Sequence, residues 1–374
     1  MAEEVIKPDL KFVREVLASG GGDLKKCYQC ATCTVLCNVT PEGNPFPRKE
    51  MVYAQWGLKE RLFANPDIWL CHQCSDCTAY CPRGAKPGEV LGAVRKLSLE
   101  RYSVPGFMAK LVNDPKFLLF LLAVPVAVFL GILGKLGHLS LSSIPRGEEG
   151  RIVFAEFIPV IYIDTVFIAA AAFAAGVFSL GVWRYWRDMA KGVADMRAAV
   201  QYAVVGAVGD ILAHERFKKC DLTKQRTVSH MFVLFSFIGL AVTTTLAIVY
   251  LYGFHYDSPY PLWDPLKILG NASAIALIIG VLLVIINRIK NAGKAGIGSY
   301  YDWLFIGVVT AIVTTGVLSE LTRLADMAGL AYPIYFAHLV SVFFLFAYAP
   351  FSKMAHMVYR GTAMVFARHT GRQK

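Results

Sequence analysis

The chain has 374 residues, 56% of them hydrophobic and only 17% charged, with a mean hydropathy of +0.48. That balance excludes an ordinary soluble enzyme and puts much of the chain in lipid. The net charge of +11 does not point to nucleic acid, because the polar part has no basic stripe with interleaved aromatics, and excess Lys and Arg in a membrane protein marks its cytoplasmic loops.

The first 105 residues are polar and the rest is largely apolar with basic punctuation. Residues 8–19 read as a short amphipathic helix ended by Gly20-Gly21-Gly22. Cys27, Cys30, Cys33 and Cys37 follow, spaced C-x2-C-x2-C-x3-C. Residues 41–47 are too rich in Pro and Gly for regular structure. Residues 48–63 have helical spacing, with Met51, Val52, Gln55, Trp56 and Leu62 suited to a helix between two loops. Cys71, Cys74, Cys77 and Cys81 then repeat the first spacing and close on Pro82. Residues 88–101 read as a helix leading into a linker over 106–116.

Two such runs are most simply read as a pair of [4Fe–4S] clusters. The two-residue gaps let three sulfurs of one tight loop reach three irons, while the fourth Cys characteristically serves the other cluster. The spacing therefore assigns Cys27, Cys30, Cys33 and Cys81 to one cluster, and Cys71, Cys74, Cys77 and Cys37 to the other. Zinc takes its ligands as two separated pairs and leaves each third Cys unexplained. Disulfides suit small secreted domains, and the N-terminus does not read as a secretory leader. A small helical domain of this kind is expected to be held by its clusters more than by a large core. Cys220 is left over and reads as an ordinary reduced thiol.

Six stretches reach the roughly 20 apolar residues needed to cross a bilayer: 117–136, 157–182, 231–254, 266–286, 301–319 and 333–352. The expected fold is mainly α, a ferredoxin-like cluster domain (1–105) followed by a transmembrane bundle of about six spans (117–374). With the cluster domain and the C-terminus in the cytoplasm, the inner segments 183–229, 287–300 and 352–374 carry 17 Lys and Arg. The outer segments 137–156, 255–265 and 320–332 carry 3, as the positive-inside rule requires. This predicts a multi-pass protein of a prokaryotic cytoplasmic membrane. Residues 185–219 are too charged to span and read as an amphipathic helix on the inner surface or against a partner.

Clusters beside a membrane need a second one-electron carrier within it, and haem b with imidazole axial ligands is the usual one. His338 and His356 are eighteen residues apart, about 27 Å along an unbroken helix, with Pro350 between them. His230 and His356 can clamp an inner haem, and His338 can bind an outer one, so one or two haems are expected. His214 and His255 are candidates for a fourth ligand or a quinone contact, and an interfacial His that only satisfies backbone or head groups is the plain alternative. Asp164 could carry quinone-linked protons. Glu320 and Arg323 read as an interfacial pair. Asn271, Ser273 and Thr243-Thr244-Thr245 read as interhelical hydrogen-bonding groups, and Lys353 as a propionate partner or a snorkelling cation.

Cys27-Tyr28-Gln29-Cys30-Ala31-Thr32-Cys33, Trp69-Leu70-Cys71-His72-Gln73-Cys74-Ser75-Asp76-Cys77 and Cys81-Pro82-Arg83-Gly84 resemble the family of heterodisulfide reductase C subunits. The segment Arg226 to His230, with His338, Pro350-Phe351-Ser352-Lys353 and His356, resembles the nitrate reductase gamma-subunit type of dihaem cytochrome b. The fusion of both halves is most similar to the family of C subunits of quinone-interacting membrane-bound oxidoreductase complexes of sulfate reducers. That resemblance implies a quinone-reactive subunit of a multisubunit oxidoreductase, working with menaquinone. It also implies soluble flavin and iron–sulfur partners related to the heterodisulfide reductase A-type flavoprotein, and adenylylsulfate reductase as the onward enzyme. Two departures stand out: Cys37 is followed by Asn38 where Pro is usual, and Leu240 occupies the position of the gamma-type second His. Disulfide- or sulfite-reducing complexes are the runner-up readings. A redox-sensing transporter is the reading from another class, and it predicts paired broken spans that the chain does not display.

Overall fold

The computed structural model describes residues 6–372 except 145, 148–149, 192, 194–197, 221–224 and 296–297. Every regular element among them is helical. The cysteine-bearing region contains α1 (Leu10–Ala18), α2 (Thr32–Val35), α3 (Arg48–Gln55), α4 (Lys59–Phe63), α5 (Asp67–Leu70), α6 (Asp76–Ala79) and α7 (Pro87–Tyr102). The expected single helix over 48–63 is broken. At Gly57 the backbone is left-handed (φ 66°), and an added Cβ would lie 2.5 Å from the Asp9 carbonyl oxygen, so only glycine fits where α1 crosses. Phe12, Leu24, Met51, Leu62, Ile68, Leu91 and Val94 are buried together. The region therefore has a continuous apolar core, more than was expected of a domain held by its clusters.

The stretch expected as a linker is helical: α8 (Gly106–Val112) buries Ala109 and Val112. The apolar half follows with α9 (Leu118–Leu136), α10 (Phe154–Phe157), α11 (Val160–Ala190), α12 (Val200–Ala213), α13 (Glu215–Lys218), α14 (Gln225–Ile248), α15 (Pro265–Lys290), α16 (Ala292–Ala295), α17 (Tyr300–Leu324), α18 (Ala328–Tyr348) and α19 (His356–His369). Six helices among the described residues are long and apolar enough to cross a membrane, in the six stretches expected from hydropathy. α14 packs along α15, α15 against α17, α17 against α18, and α18 against both α9 and α11. The approach of α14 to α15 needs small residues: a Cβ on Gly280 would meet Phe232 Cβ at 2.9 Å.

Several local expectations are corrected. The charged stretch 185–219 is not one surface helix. Its first turn continues α11, where Tyr185, Asp188 and Met189 are buried, and α12 and α13 are separate. α12 lies on α19, buries Ala203 and Ala207, and pairs Asp210 with Arg368 at 2.7 Å. The helix carrying His338 does not run on to His356. The imino acid Pro350 cannot donate to the helical ladder, so α18 gives way to 3-10 turns at 349–351 and 353–355 before α19 starts. Glu320 pairs with Lys267 (2.8 Å) rather than Arg323, and Asn271 Nδ2 reaches it from α15 at 3.3 Å. Thr243, Thr244 and Thr245 bond carbonyls four residues back in their own helix, the usual refuge of a hydroxyl in lipid. Ser273 packs on Gly239.

The two halves are joined by buried aromatics and ions. Trp69 stacks on Tyr359 at 5.2 Å, and Tyr102 lies between Tyr185 and Tyr359. Arg372 pairs with the buried Asp67. The C-terminal helix is thus the floor on which the cysteine-bearing region sits.

Candidate electron-transfer site

None of the nine cysteines is in a disulfide, and the two cysteine loops are conformational repeats. Gln29 and Ala31 in the first, and Gln73 and Ser75 at the matching positions of the second, all adopt left-handed φ between 51° and 72°. Non-glycine residues there cost on the order of 1–3 kcal/mol each, which persists where the chain must curl backbone N–H groups around an anion. The Gln73 N–H points to Cys71 Sγ and the Ala85 N–H to Cys81 Sγ, each at 3.4 Å. Burial first, then neighbouring thiols, push Cys33 up to about 11 and Cys37 up to about 12. Cationic metal is what would hold such buried sulfurs as thiolates. The residues fit cubane clusters.

Cys27, Cys30, Cys33 and Cys81 line one recess with Arg48 and Arg83. Cys37 lies within electrostatic reach of Cys71, Cys74 and Cys77. The first group is near the surface: Cys30 is exposed, as are Tyr28, Val35 and Tyr80. The second is enclosed by the membrane half. Arg95 Nη1 donates to the Cys71 carbonyl (2.9 Å) and its Nη2 to Gln73 Oε1 (2.9 Å). Arg226 Nη1 donates to the Gln73 carbonyl (2.7 Å), and Arg360 donates to His72 Nε2. Asn38 Nδ2 donates to the Lys219 carbonyl (3.0 Å), and Arg216 Nη2 to the Val39 carbonyl (3.0 Å). Asn38, where proline is usual, is thus a donor that fastens the segment before α14 to the first loop.

Directly behind the second loop is a cavity of about 660 Å³. Cys71, His72 and Gln73 form one end. His230 of α14 and His356 at the start of α19 both line it, with apolar walls from Val233, Phe237, Val284 and Phe305. Arg226, Arg288, Lys353 and Arg360 edge it. Lys353 does not snorkel; it is paired with Asp302, which Arg288 also faces at 3.5 Å. Arg95, Arg226 and Arg360 have carbonyl, amide or imidazole partners and no carboxylate among the described residues. Buried cations so placed call for an anion. Burial and the neighbouring Arg216 and Arg95 pull Arg360 down to about 9.

The imidazoles are oriented. His214 Nδ1 faces the Leu212 carbonyl (3.2 Å) and so carries its proton, leaving His214 Nε2 to accept from His230 Nδ1 at 2.8 Å. His356 Nδ1 donates to the Lys353 carbonyl at 2.5 Å. In both His230 and His356 the Nε2 atom is left for a ligand, the tautomer that metal binding uses. Burial holds His356 at about 4 and His72 well below the usual range, so both rings are neutral. His338 is on α18, pressed on Gly316, with Nδ1 at 3.1 Å from the Ile312 carbonyl and outside this cavity. His255 is exposed, in the loop after α14. Asp164 accepts a hydrogen bond from Tyr252.

The sequence reading gives Phe217 no role and names His72 only as part of the second cysteine motif. The Phe217 ring touches three imidazoles, His72 (4.5 Å between centroids), His230 (4.7 Å) and His214 (5.3 Å). Nothing in its local sequence distinguishes it. His72, an imidazole inside a cysteine loop, was the available signal.

Residues 23–85 match the 4Fe-4S dicluster domain family. The C subunit of the H(2):CoB-CoM heterodisulfide,ferredoxin reductase of Methanothermobacter marburgensis is 36% identical over 104 residues, 27% of this chain and 52% of that protein. A protein of Archaeoglobus profundus that is itself like the heterodisulfide reductase C subunit is 34% identical over 96 residues, 25% of this chain and 51% of the relative. The C2 subunit of the H(2)/formate:CoB-CoM heterodisulfide,ferredoxin reductase of Methanococcus maripaludis is 33% identical over 117 residues, 29% and 59% respectively. The chain spans about half the length of the first two relatives. No solved structure matches. The protein thus joins a 4Fe-4S dicluster domain like that of heterodisulfide reductase C subunits, an iron–sulfur electron carrier, to six helices of membrane-spanning length.

Proposed function

We propose that the chain is a membrane electron-transfer subunit that takes electrons from menaquinol, by way of haem b and two [4Fe–4S] clusters, to soluble flavin- and iron–sulfur-bearing subunits. One observation carries this reading: a single cavity is lined both by His230 and His356 and by Cys71, His72 and Gln73 of the second cysteine loop. Its residues suit haem b, with two imidazoles offering Nε2 to iron, apolar walls for the ring, and Arg226, Arg288 and Arg360 for its carboxylates. The haem and clusters supply one-electron carriers between a two-electron quinol and its acceptor.

The protein's own residues hold and insulate that line. His214 fixes the Nδ1 proton of His230. Phe217 fills the space between His230 and His72 and keeps water from it. Arg95, Arg226 and Arg360 hold the 71–73 backbone and favour negative charge there. In this reading Cys37, Cys71, Cys74 and Cys77 hold the inner cluster, and Cys27, Cys30, Cys33 and Cys81 the outer one, beside the exposed Tyr28 and Val35 where soluble subunits dock. The charge bias of the loops favours a cytoplasmic side for residues 1–105. His338 is the candidate for a second haem, and the Asp164–Tyr252 pair for quinol protons. The resemblance of the fused halves favours adenylylsulfate reductase as the terminal acceptor.

A pyridine haemochrome and non-haem iron assay on the purified full chain tests this. The expected result is haem b with about eight non-haem irons, matching two cubanes. His230→Ala or His356→Ala should abolish the inner haem and keep the irons. Iron without haem in the wild type overturns the cytochrome half of the proposal.

A further inference from the structure

The ninth cysteine stands beside the buried group of four. Cys220 is 3% exposed, and its sulfur, Cys74 Sγ and a carboxylate oxygen of Asp76 lie within 4.8 Å of one another. Cys220 follows the segment that clasps the cysteine-bearing region. Arg216 reaches the Val39 carbonyl and Asn38 reaches the Lys219 carbonyl, each at 3.0 Å. Residue 220 is thereby delivered between the Cys37 and Cys74 loops. In sequence it is 139 positions beyond Cys81 and part of no cysteine run.

A buried free cysteine is usually an inert small hydrophobe. Three observations argue against that role. It belongs to the apolar core, yet its sulfur lies within 4.8 Å of Cys74 Sγ and of a carboxylate oxygen of Asp76. Its other acceptor, the Arg216 carbonyl, is at 3.9 Å, the far limit even for sulfur. Its chain is fixed ahead of it by the bonds to Asn38 and Val39, and beyond it by Arg226 on the Gln73 carbonyl at 2.7 Å. A ligand role also fails on counting: four thiolates already satisfy the four irons of a cubane, which leaves a fifth sulfur to act on a ligand.

We propose that Cys220 is a positioning residue whose S–H donates a hydrogen bond to the Cys74 thiolate and raises the reduction potential of the cluster held by Cys37, Cys71, Cys74 and Cys77. This rests on the ligand sets proposed above. The reduced cluster carries one more negative charge than the oxidised one, spread onto its sulfurs. A donor to a thiolate therefore favours the reduced form, as hydrogen bonds to cluster sulfurs generally do. The donor enters from the membrane half, so correct docking of the two halves and the potential of the inner cluster are coupled through one side chain.

The test is an EPR-monitored redox titration of the full-length protein in detergent, comparing wild type, Cys220→Ala and Cys220→Ser, with iron counted in each. Cys220→Ala should lower the reduced-to-oxidised ratio of the inner cluster about tenfold at a fixed potential, a shift of about 59 mV for one electron. The outer cluster should not move. Cys220→Ser keeps an O–H donor and should fall between alanine and wild type. An unchanged inner potential in both variants overturns the proposal and makes Cys220 a packing residue. Loss of about four irons in Cys220→Ala and Cys220→Ser also overturns it, by making Cys220 a ligand. A wild type with only one cluster signal defeats the ligand sets themselves, a failure distinct from either variant result.

Discussion

The two cysteine loops have one spacing and one backbone, with left-handed residues at the same two positions, and in each an arginine donates to the matching Gln carbonyl, yet their wider surroundings differ. Around Cys27–Cys33 several neighbours are exposed; Arg83 leans outward over Tyr28 at 4.1 Å, and a single guanidinium, Arg48, donates to the loop backbone, at the Gln29 carbonyl (2.9 Å). Around Cys71–Cys77, guanidinium groups from α7, α14 and α19 converge on the loop backbone and its histidine. A spacing motif specifies what kind of cofactor is held. The packing around it decides what that cofactor exchanges electrons with and at what potential. In the proposed function the exposed loop faces a transient partner, and the enclosed one a permanent neighbour in the membrane half.

The most severe way to break that contrast is to remove one site through the other's sequence run. Cys81→Ser should remove the outer cluster and about half of the eight irons, although Cys81 belongs to the second run. Cys37→Ser should remove the inner one. Iron analysis and EPR check both, and survival of the outer signal in Cys81→Ser would show that each run holds its own cluster. A smaller change sharpens the contrast. Arg226→Gln or Arg360→Gln removes a buried positive charge beside the inner cluster only. The inner potential should fall by about 60 mV, a factor of ten in the one-electron equilibrium, while the outer potential stays put. Equal shifts in both would mean that the arginines act on the fold rather than on the inner site.

At the surface, Tyr28→Ala combined with Val35→Asp should slow electron delivery to soluble partner subunits about tenfold or more. These side chains are 68% and 83% exposed, aromatic and apolar residues that anchor docking faces. Haem, iron and both potentials should be unaffected. Stopped-flow oxidation of the reduced protein by its partner would read this out, and an unchanged rate would move the docking face elsewhere.

Much of this organisation could be read from residues in order. The six spans are legible because lipid demands about 20 apolar residues in a row, and the cysteine spacing is legible because a cubane needs a tight loop. Both are local constraints. The arginine enclosure is not local: Arg95, Arg216, Arg226 and Arg360 come from four helices, each arginine ordinary in its own context. Phe217 and Cys220 acquire meaning only when the segment before α14 folds back on Asn38 and Val39. His230 and His356 could be named as candidates from their depth. Their engaged Nδ1 atoms depend on the His214 backbone, left-handed at the end of α12, and on the turn after Pro350. Helical counting between His338 and His356 failed for the same reason, since one imino acid resets the register.

The smallest effect tests whether the enclosed side is also the tighter one energetically. Glu50 and Asp67 are both fully buried under the second loop. Glu50 Oε1 accepts from Asn65 Nδ2 at 2.7 Å, and Asp67 takes Arg372 and Lys49. Burial, then the nearby Asp67 charge, raises Glu50 to about 7. A carboxyl raised on folding binds its proton more tightly in the native state. Its stabilising contribution is therefore complete below its unfolded value near 4.5 and is lost as pH rises through about 7. Glu50→Gln keeps an oxygen for Asn65 and carries no charge. It should leave thermal stability little changed at pH 5 and raise it at pH 8 by about 1–3 kcal/mol, from 1.36 kcal/mol per unit. Melting curves at both pH values decide it. An equal loss at pH 5 and pH 8 would mean that Glu50 keeps its charge throughout, held by Lys49 at 3.5 Å, and that the floor of the inner site is stabilised by ion pairing.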